Sequence, residues 1–487
     1  MRLNKLKIRN FRCFRDYEIE FAPQVTVLFG KNGTGKTTLI HAIHKALSFI
    51  MHSERVRGKD AKTGKMKVIG TNTVTEGNSY LRVEGFSKRG DWFTTSDPLI
   101  EITAEAQLPG TLSLDLSTPL MWSISAFTNK SVTRKGEFIE AFRNFYNWYT
   151  YTGELPLLCY ISDSFPHKED THKRNKKKKI SGYRSYGYFN WNDESGNTKE
   201  WVGRLENAMR EIDRTERRIK KLEEREYDAE SGGKYYLPDA IVKVPLGEQI
   251  RAEKESWRKL IREVQVIERI LCHFANNLVV NGKLYMEVSA IGLHPDDDKL
   301  CLRLANGEPK SFRNLPAGYK RLFSIVLDIA YRSLLLNPER EWNPIGIAMI
   351  DEIDLHLHPE LEKVCLNALM QTFPHLQLIV STHSPAVLSG LQTSTGENKV
   401  LRMSIGDEAP TTMPDVYGLD YNSVVQEIMS VGASNPELQH LISRCAYLYK
   451  NGYIEQGDAL RKKIIQRGML NEVELTRRIE NAKAELK

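Results

Sequence analysis

The chain has 487 residues and a formal charge of +7, from 69 Lys and Arg against 62 Asp and Glu. Its 41% apolar fraction excludes wholesale disorder, and its length allows several domain-sized units with a sizeable core. No apolar run approaches the roughly 20 residues that cross a bilayer, no secretory h-region opens the chain, and the six cysteines include no CxxC pair. These features read as a soluble, intracellular, cytoplasmic protein with neither a disulfide framework nor a CxxC zinc site.

In chain order, Leu6 and Ile8 alternate with basic residues, and Tyr17, Ile19 and Phe21 repeat the period of two, so the opening reads as β-structure. Val25–Phe29 is a continuous apolar and β-branched run suited to a strand buried on both faces. A glycine-rich segment follows, then apolar residues at 39, 40, 43, 46 and 47 that form a helical stripe. Residues 53–68 carry six Lys or Arg against two acids and read as a loop. Alternation returns between Ser79 and Leu114 as a β-meander, and Leu155–Ile161 is another short apolar strand. His167–Lys179 holds seven Lys or Arg against two acids, a solvated loop by composition. Two charged helical stripes come next. One carries Leu205, Met209, Ile212, Ile219 and Leu222; the other runs from about Glu248 to Ala275, and Gly232-Gly233 and Pro238 in the connection favour an antiparallel hairpin. The β/α pattern then resumes, and residues 416–487 read as a charged helical module.

Three segments carry chemistry. Gly30-Lys31-Asn32-Gly33-Thr34-Gly35-Lys36-Thr37 fits G-x-x-x-x-G-K-[ST] between a strand and a helix. Glycines let successive backbone N–H groups face phosphate oxygens, and the helix dipole lies beneath the anion. Lys36 can reach the β- and γ-phosphates of ATP, and the Thr37 hydroxyl can ligate Mg²⁺. Gly30, Asn32, Gly33, Gly35 and Thr38 complete this candidate binding set. Ile345–Ile350 is an apolar strand ending in Asp351-Glu352, where Asp351 can hold Mg²⁺ and Glu352 can orient or deprotonate the attacking water. Leu376–Val380 is a third apolar strand, ending in Ser381-Thr382-His383, with His383 a candidate γ-phosphate contact.

Together these segments resemble the ABC-type ATPase heads of the SMC/RecF/OLD superfamily, in which His383 matches the switch histidine. The start Ile8-Arg9-Asn10-Phe11-Arg12-Cys13-Phe14 is similar to that superfamily's opening and makes Arg12 a candidate nucleotide contact. His356 and His358 belong to the usual wording after the acidic pair and are taken as structural. The signature segment that touches a partner's γ-phosphate corresponds to Leu315-Pro316-Ala317-Gly318-Tyr319-Lys320-Arg321. Pro316 replaces the signature serine and cannot donate a hydrogen bond, leaving Gly318 and Lys320 or Arg321 to make that contact. The words Asp351–Pro359 and Ser381–Pro385, the helical insertion with Trp191 and Trp201, and Tyr417–Val424 resemble the PtuA-like ATPase family of Septu-type anti-phage systems, including retron-associated ones.

The expected fold is α/β: an ABC-type P-loop ATPase head with a helical insertion and a helical C-terminal extension. Its expected parts are an N-terminal lobe (1–165), a basic loop and helical hairpin (166–285), a C-terminal lobe (286–415) and a helical module (416–487). The resemblance implies an ATPase using ATP and Mg²⁺ that forms a homodimer or higher oligomer through its heads. It also implies control of a separate, PtuB-like HNH nuclease by nucleotide state. DNA or a retron reverse transcriptase–RNA/DNA complex is a further partner on this reading, and a membrane is not. No nuclease pattern stands out in the chain itself. A RecF- or Rad50-like repair ATPase, gripping duplex DNA with the basic clusters at 53–68 and 167–179, is the competing reading.

Overall fold

In the computed structural model the described residues are 1–47, 53–59, 66–72, 100–108, 120–126, 133–134, 145, 152–162, 184–188, 191, 198–230, 245–340, 343–419, 423–424, 436–466 and 472–485. They divide into two compact units, Met1–Gly418 and Leu419–Lys487.

The first unit is built on two sheets. A five-stranded antiparallel sheet contains β1 (Arg2–Phe11), β2 (Phe14–Glu20), β6 (Ile100–Gln107), β7 (Leu120–Ala126) and β8 (Thr133–Arg134), in the order β2-β1-β6-β7-β8. The period of two holds from Leu6 to Arg9 and slips at a register shift between Leu3 and Lys5. Leu3, Leu6 and Ile8 are buried while Lys5 and Arg9 face outward to Glu18, Glu20 and Glu101. The second sheet combines β3 (Val25–Phe29), β9 (Leu157–Ile161), β15 (Gly346–Ile350), β16 (Leu376–Thr382), β17 (Asn398–Arg402) and β18 (Thr411–Thr412), in the order β18-β17-β3-β16-β15-β9. All its pairings are parallel except β17 with β18. Every residue of β3, β9, β15 and β16 is buried, as continuous apolar runs require when both faces of a parallel sheet are covered. Gln377 on β16 clamps the two sheets together. Its amide accepts from the Leu3 N–H at 2.7 Å and donates to the carbonyls of Leu3 at 2.9 Å and Ala22 at 2.8 Å.

Residues 53–68, read above as a loop, instead belong largely to an antiparallel pair, β4 (Ser53–Lys59) with β5 (Met66–Asn72). Arg55, Val56 and Arg57 alternate charge with an apolar residue, a strand pattern that the charge count conceals. The 167–179 cluster and the 79–99 part of the β-meander lie outside the described residues.

The insertion is an antiparallel pair of long helices, α2 (Thr198–Glu230) and α3 (Leu246–Asn277). Ion pairs Arg204–Glu263, Arg218–Glu253 and Lys254–Glu223 run along it, while Trp201, Leu205, Ile267, Leu271 and Phe274 seat its root in the core. That root packs on α4 (Ala317–Leu336), a helix buried on almost every side. Trp201 stacks on Tyr331 with ring centroids 5.2 Å apart, and its indole N–H donates to Asp328 at 2.6 Å. Arg332 neutralises Asp328 at 2.6 Å, and both charges are fully buried. Between α3 and α4 lie β10 (Val279–Val280), β11 (Lys283–Leu284) and the three-stranded sheet of β12 (Val288–Leu293), β13 (Leu300–Leu304) and β14 (Pro309–Ser311).

In the second unit α6 (Pro436–Lys450), α7 (Ile454–Gln466) and α8 (Glu472–Glu485) bury Leu438, Ile442, Cys445, Ala446, Ile464, Leu475 and Ile479 against one another. No described helix is long and apolar enough to cross a membrane.

Candidate active site

The parallel order β3-β16-β15 delivers the C-terminal ends of three strands to one edge, where α/β sheets place their ligand sites. Phe29, the last residue of β3, is opposite Thr382, and Ile350, the last of β15, is opposite Val380. That register puts Lys36, the Asp351-Glu352 pair and His383 at a common edge, although Lys36 precedes the pair by 315 residues in the chain.

The loop after β3 winds through Gly30, Gly33 and Gly35 at positive φ into α1 (Lys36–Leu47). At Gly33 the backbone alone demands glycine, since φ is 82° and nothing crowds the absent Cβ. Gly35 has φ 95°, and a Cβ there would also lie 2.7 Å from Cys13 Sγ and 2.8 Å from the Phe14 ring. The β1–β2 turn is therefore pressed against the loop. It carries Arg12 at φ 51°, with the guanidinium 5.5 Å over the Phe11 ring. Asn32 and Thr37 are exposed, while Lys36 folds back to donate to the carbonyls of Gly30 at 2.9 Å and Lys31 at 3.3 Å. Burial draws its ammonium below the ordinary lysine range, and Asp351, Glu352 and Asp354 pull it back up. Those three carboxylates are the charges that the lysine faces.

Asp351 is buried; its carboxylate accepts from Ser381 Oγ, and its N–H donates to Ile161 at 2.8 Å. Glu352 has a left-handed φ of 50°, held by its N–H donating to Ser381 Oγ at 2.8 Å and its carbonyl accepting from Arg321 at 3.0 Å. Asp354 accepts from Thr382 Oγ1 at 2.5 Å and from the His383 N–H at 3.3 Å. Burial first, and the charge of Lys36 next, lower the His383 pKa, with Asp354 and Asp351 opposing. The imidazole is thus biased toward its neutral form, able to donate from one nitrogen while accepting at the other.

The signature-like segment behaves differently. Pro316 caps α4 without a side-chain hydrogen bond, and Gly318 is buried: a Cβ would lie 2.6 Å from the His356 carbonyl oxygen. Arg321 is fully buried, donating to the carbonyls of Asp351 at 2.8 Å, Glu352 at 3.0 Å and Ser162 at 3.3 Å. It is spent within its own chain, whereas Lys320 beside it is only half-buried. His358 caps α5 (Pro359–Thr372), accepting from the Glu360 N–H at 3.4 Å, and His356 takes φ 64° in the turn before it.

Sequence reasoning assigned no role to Ser381, Thr382 or Asp354, and misjudged Arg321. Polar residues closing an apolar strand were a visible signal for the first two. A Lys-Arg pair opening an apolar helix reads as a surface feature, so nothing marked Arg321 as the brace of the acidic pair.

Among the described residues no three His, Cys, Asp or Glu side chains form a metal cage. One carboxylate and one hydroxyl, completed by phosphate oxygens and water, is nevertheless the hard-oxygen set that suits Mg²⁺, and Asp351 with Thr37 fits it.

A family model described as an AAA domain matches residues 5–267, and one described as an AAA ATPase domain matches 160–388. The chain is similar to a retron Vc95 probable ATPase of Vibrio cholerae serotype O1 biovar El Tor. The two are 26% identical over 410 residues, which span 80% of this chain and 71% of the relative. It is also similar to the Septu protein PtuA of Bacillus mycoides (strain KBAB4), 31% identical over 157 residues that span 32% of this chain and 21% of the relative. A crystal structure of an SMC head bound to the C-winged helix domain of ScpA aligns over 85% of this chain and 97% of that one. The identity is 12% and the TM-score 0.39, too remote a likeness to bear on function.

Proposed function

The chain belongs to the AAA domain family, and from that membership we propose that it binds and hydrolyses MgATP as the nucleotide-controlled subunit of an anti-phage defence complex. The observation that carries the reading is the gathering of Lys36, Asp351, Glu352 and Asp354 with His383 at the ends of adjacent parallel strands. In this reading the N–H groups of Gly33, Gly35 and Lys36 wrap the β-phosphate. Lys36 exchanges its carbonyl contacts for phosphate oxygens, and Arg12 lies beside the nucleotide. Asp351 and Thr37 hold Mg²⁺, which when bound neutralises charge on the phosphate oxygens. Glu352 takes the proton of the attacking water, its carboxylate aimed by the constrained left-handed backbone. Neutral His383 donates to the γ-phosphate, with Asp354 fixing its backbone. Two heads close on ATP, with Lys320 facing the partner's nucleotide. Opening after hydrolysis exposes or releases a PtuB-like HNH nuclease. The retron and Septu names of the similar proteins support the defence setting.

Glu352→Gln is the direct test. Phosphate release is expected to fall about 100-fold or more, while ATP still binds with little change. Turnover equal to wild type would remove Glu352 from the role of base.

A further inference from the structure

A cavity of about 400 Å³ opens beside the start of α4. Its walls are Tyr285, Met286, Leu304, Leu315, Pro316 and Tyr319, drawn from the end of β11, the end of β13 and the α4 cap. The size falls within the roughly 300–1,000 Å³ of small-ligand sites. Two aromatic rings stand in it, Tyr285 and Tyr319, with centroids 5.7 Å apart and planes tilted by 39°. Both side chains are only half-buried. Burial first, and the neighbouring Tyr285 phenol next, push the Tyr319 phenol up to about 12. The polar lining is equally specific in type. Asn306 offers a donor and an acceptor, Glu287 a carboxylate and Lys310 an ammonium, all at exposed positions. One or two residues from the lining in the chain stand the basic Lys283, Arg313 and Lys320 and the acidic Glu308.

Flat aromatic rings, an amide edge and a lysine at the lining form one recurring combination. Aromatic faces stack unpaired bases of any identity, and surrounding Lys and Arg track the phosphates between them. We propose that this cavity is a nucleobase-stacking site for single-stranded nucleic acid. An unpaired base packs on Tyr285 and Tyr319, and its flanking phosphates meet Lys310 and the neighbouring cations. The site depends on none of the groups assigned to ATP hydrolysis except Lys320, which is not needed for the stacking itself. A strand bound here lies against the cap of the helix whose Arg321 braces the Asp351 and Glu352 carbonyls, so nucleic acid has a direct structural route to the hydrolytic edge.

The test uses the full chain without ATP and a short fluorescein-labelled oligothymidylate, followed by anisotropy. Wild type binds, and Tyr285→Ala weakens binding about tenfold, the loss expected for one stacked base. Tyr285→Phe, which keeps the ring, stays within about twofold of wild type, and Lys310→Glu flattens the salt dependence. An abasic oligonucleotide binds wild type about as weakly as oligothymidylate binds Tyr285→Ala. Thermal unfolding of each variant separates lost binding from lost fold. No oligonucleotide binding by wild type would overturn the proposal, as would equal binding of abasic and thymidine strands. Full displacement of the strand by AMP would also overturn it, making the cavity a mononucleotide site. Loss of ATP turnover in Glu352→Gln concerns a different set of atoms, so either reading can fail without the other.

Discussion

Glu352 shows how a single residue is made to serve a site at the expense of local comfort. A non-glycine residue at φ 50° costs on the order of 1 kcal/mol, and Ser381 and Arg321 hold the peptide on both sides. Arg321 acts here as a positioning residue, both terminal nitrogens of its guanidinium donating to carbonyl oxygens. Gly35 is the complementary case, a position where any side chain is excluded twice, by φ 95° and by Cys13 and Phe14 within 3 Å of a Cβ. Gly35→Ala is expected to abolish measurable ATP binding in a nucleotide titration, because relief requires moving either the β1–β2 turn or the phosphate-binding backbone. Gly33→Ala meets strain without collision and should weaken binding by a smaller factor in the same titration.

At the scale of elements, two helices are seated by polar groups that the core has had to absorb. On α1, His44 packs against Tyr160 and Trp191, ring centroids 5.9 and 4.7 Å away, and burial drags its pKa down to about 3. Unfolded chain takes up a proton there near pH 6.5 and folded chain does not, so the unfolded state binds more protons between those values. Stability is therefore intact above about pH 6.5 and is lost as the pH falls through that window. Because the residue keeps an edge at the surface, we expect a loss of about 1–2 kcal/mol by pH 5. Urea titrations of wild type and His44→Phe at pH 7.5 and pH 5 measure it, the variant lacking that part of the decline. On α4, Asp328 accepts from Arg332, Trp201 and Cys159 in the fully buried layer between sheet and hairpin. Arg332→Met strands that carboxylate, and a destabilisation of about 3–5 kcal/mol is expected in urea unfolding. Had the helix merely been apolar there, the same substitution would cost little.

For the whole molecule, the proposed cycle requires two heads to meet over nucleotide. Glu352→Gln with MgATP is expected to run at twice the 55.9 kDa chain mass in light scattering, and at the single mass without nucleotide. A single mass under both conditions would set aside closure by paired heads. Much of this molecule was legible from the chain. Val25–Phe29, Ile345–Ile350 and Leu376–Val380 declare strands buried on both faces, the glycine spacing declares a phosphate loop, and α2 and α3 follow from their stripes. Those features are local, because backbone propensity and hydrophobic period act over a few residues. Other features were not legible: that β16 lies between β3 and β15, that Ser381 bridges Asp351 and Glu352, that Arg321 is sealed inside its own chain, and that Tyr285 and Tyr319 share a cavity. Each depends on segments tens to hundreds of residues apart being packed side by side. The sequence by itself determined which elements form and which chemical groups they carry. Only the tertiary structure decided which groups meet, since strand order and burial are set by the joint packing of the sheet and not by any one segment's pattern.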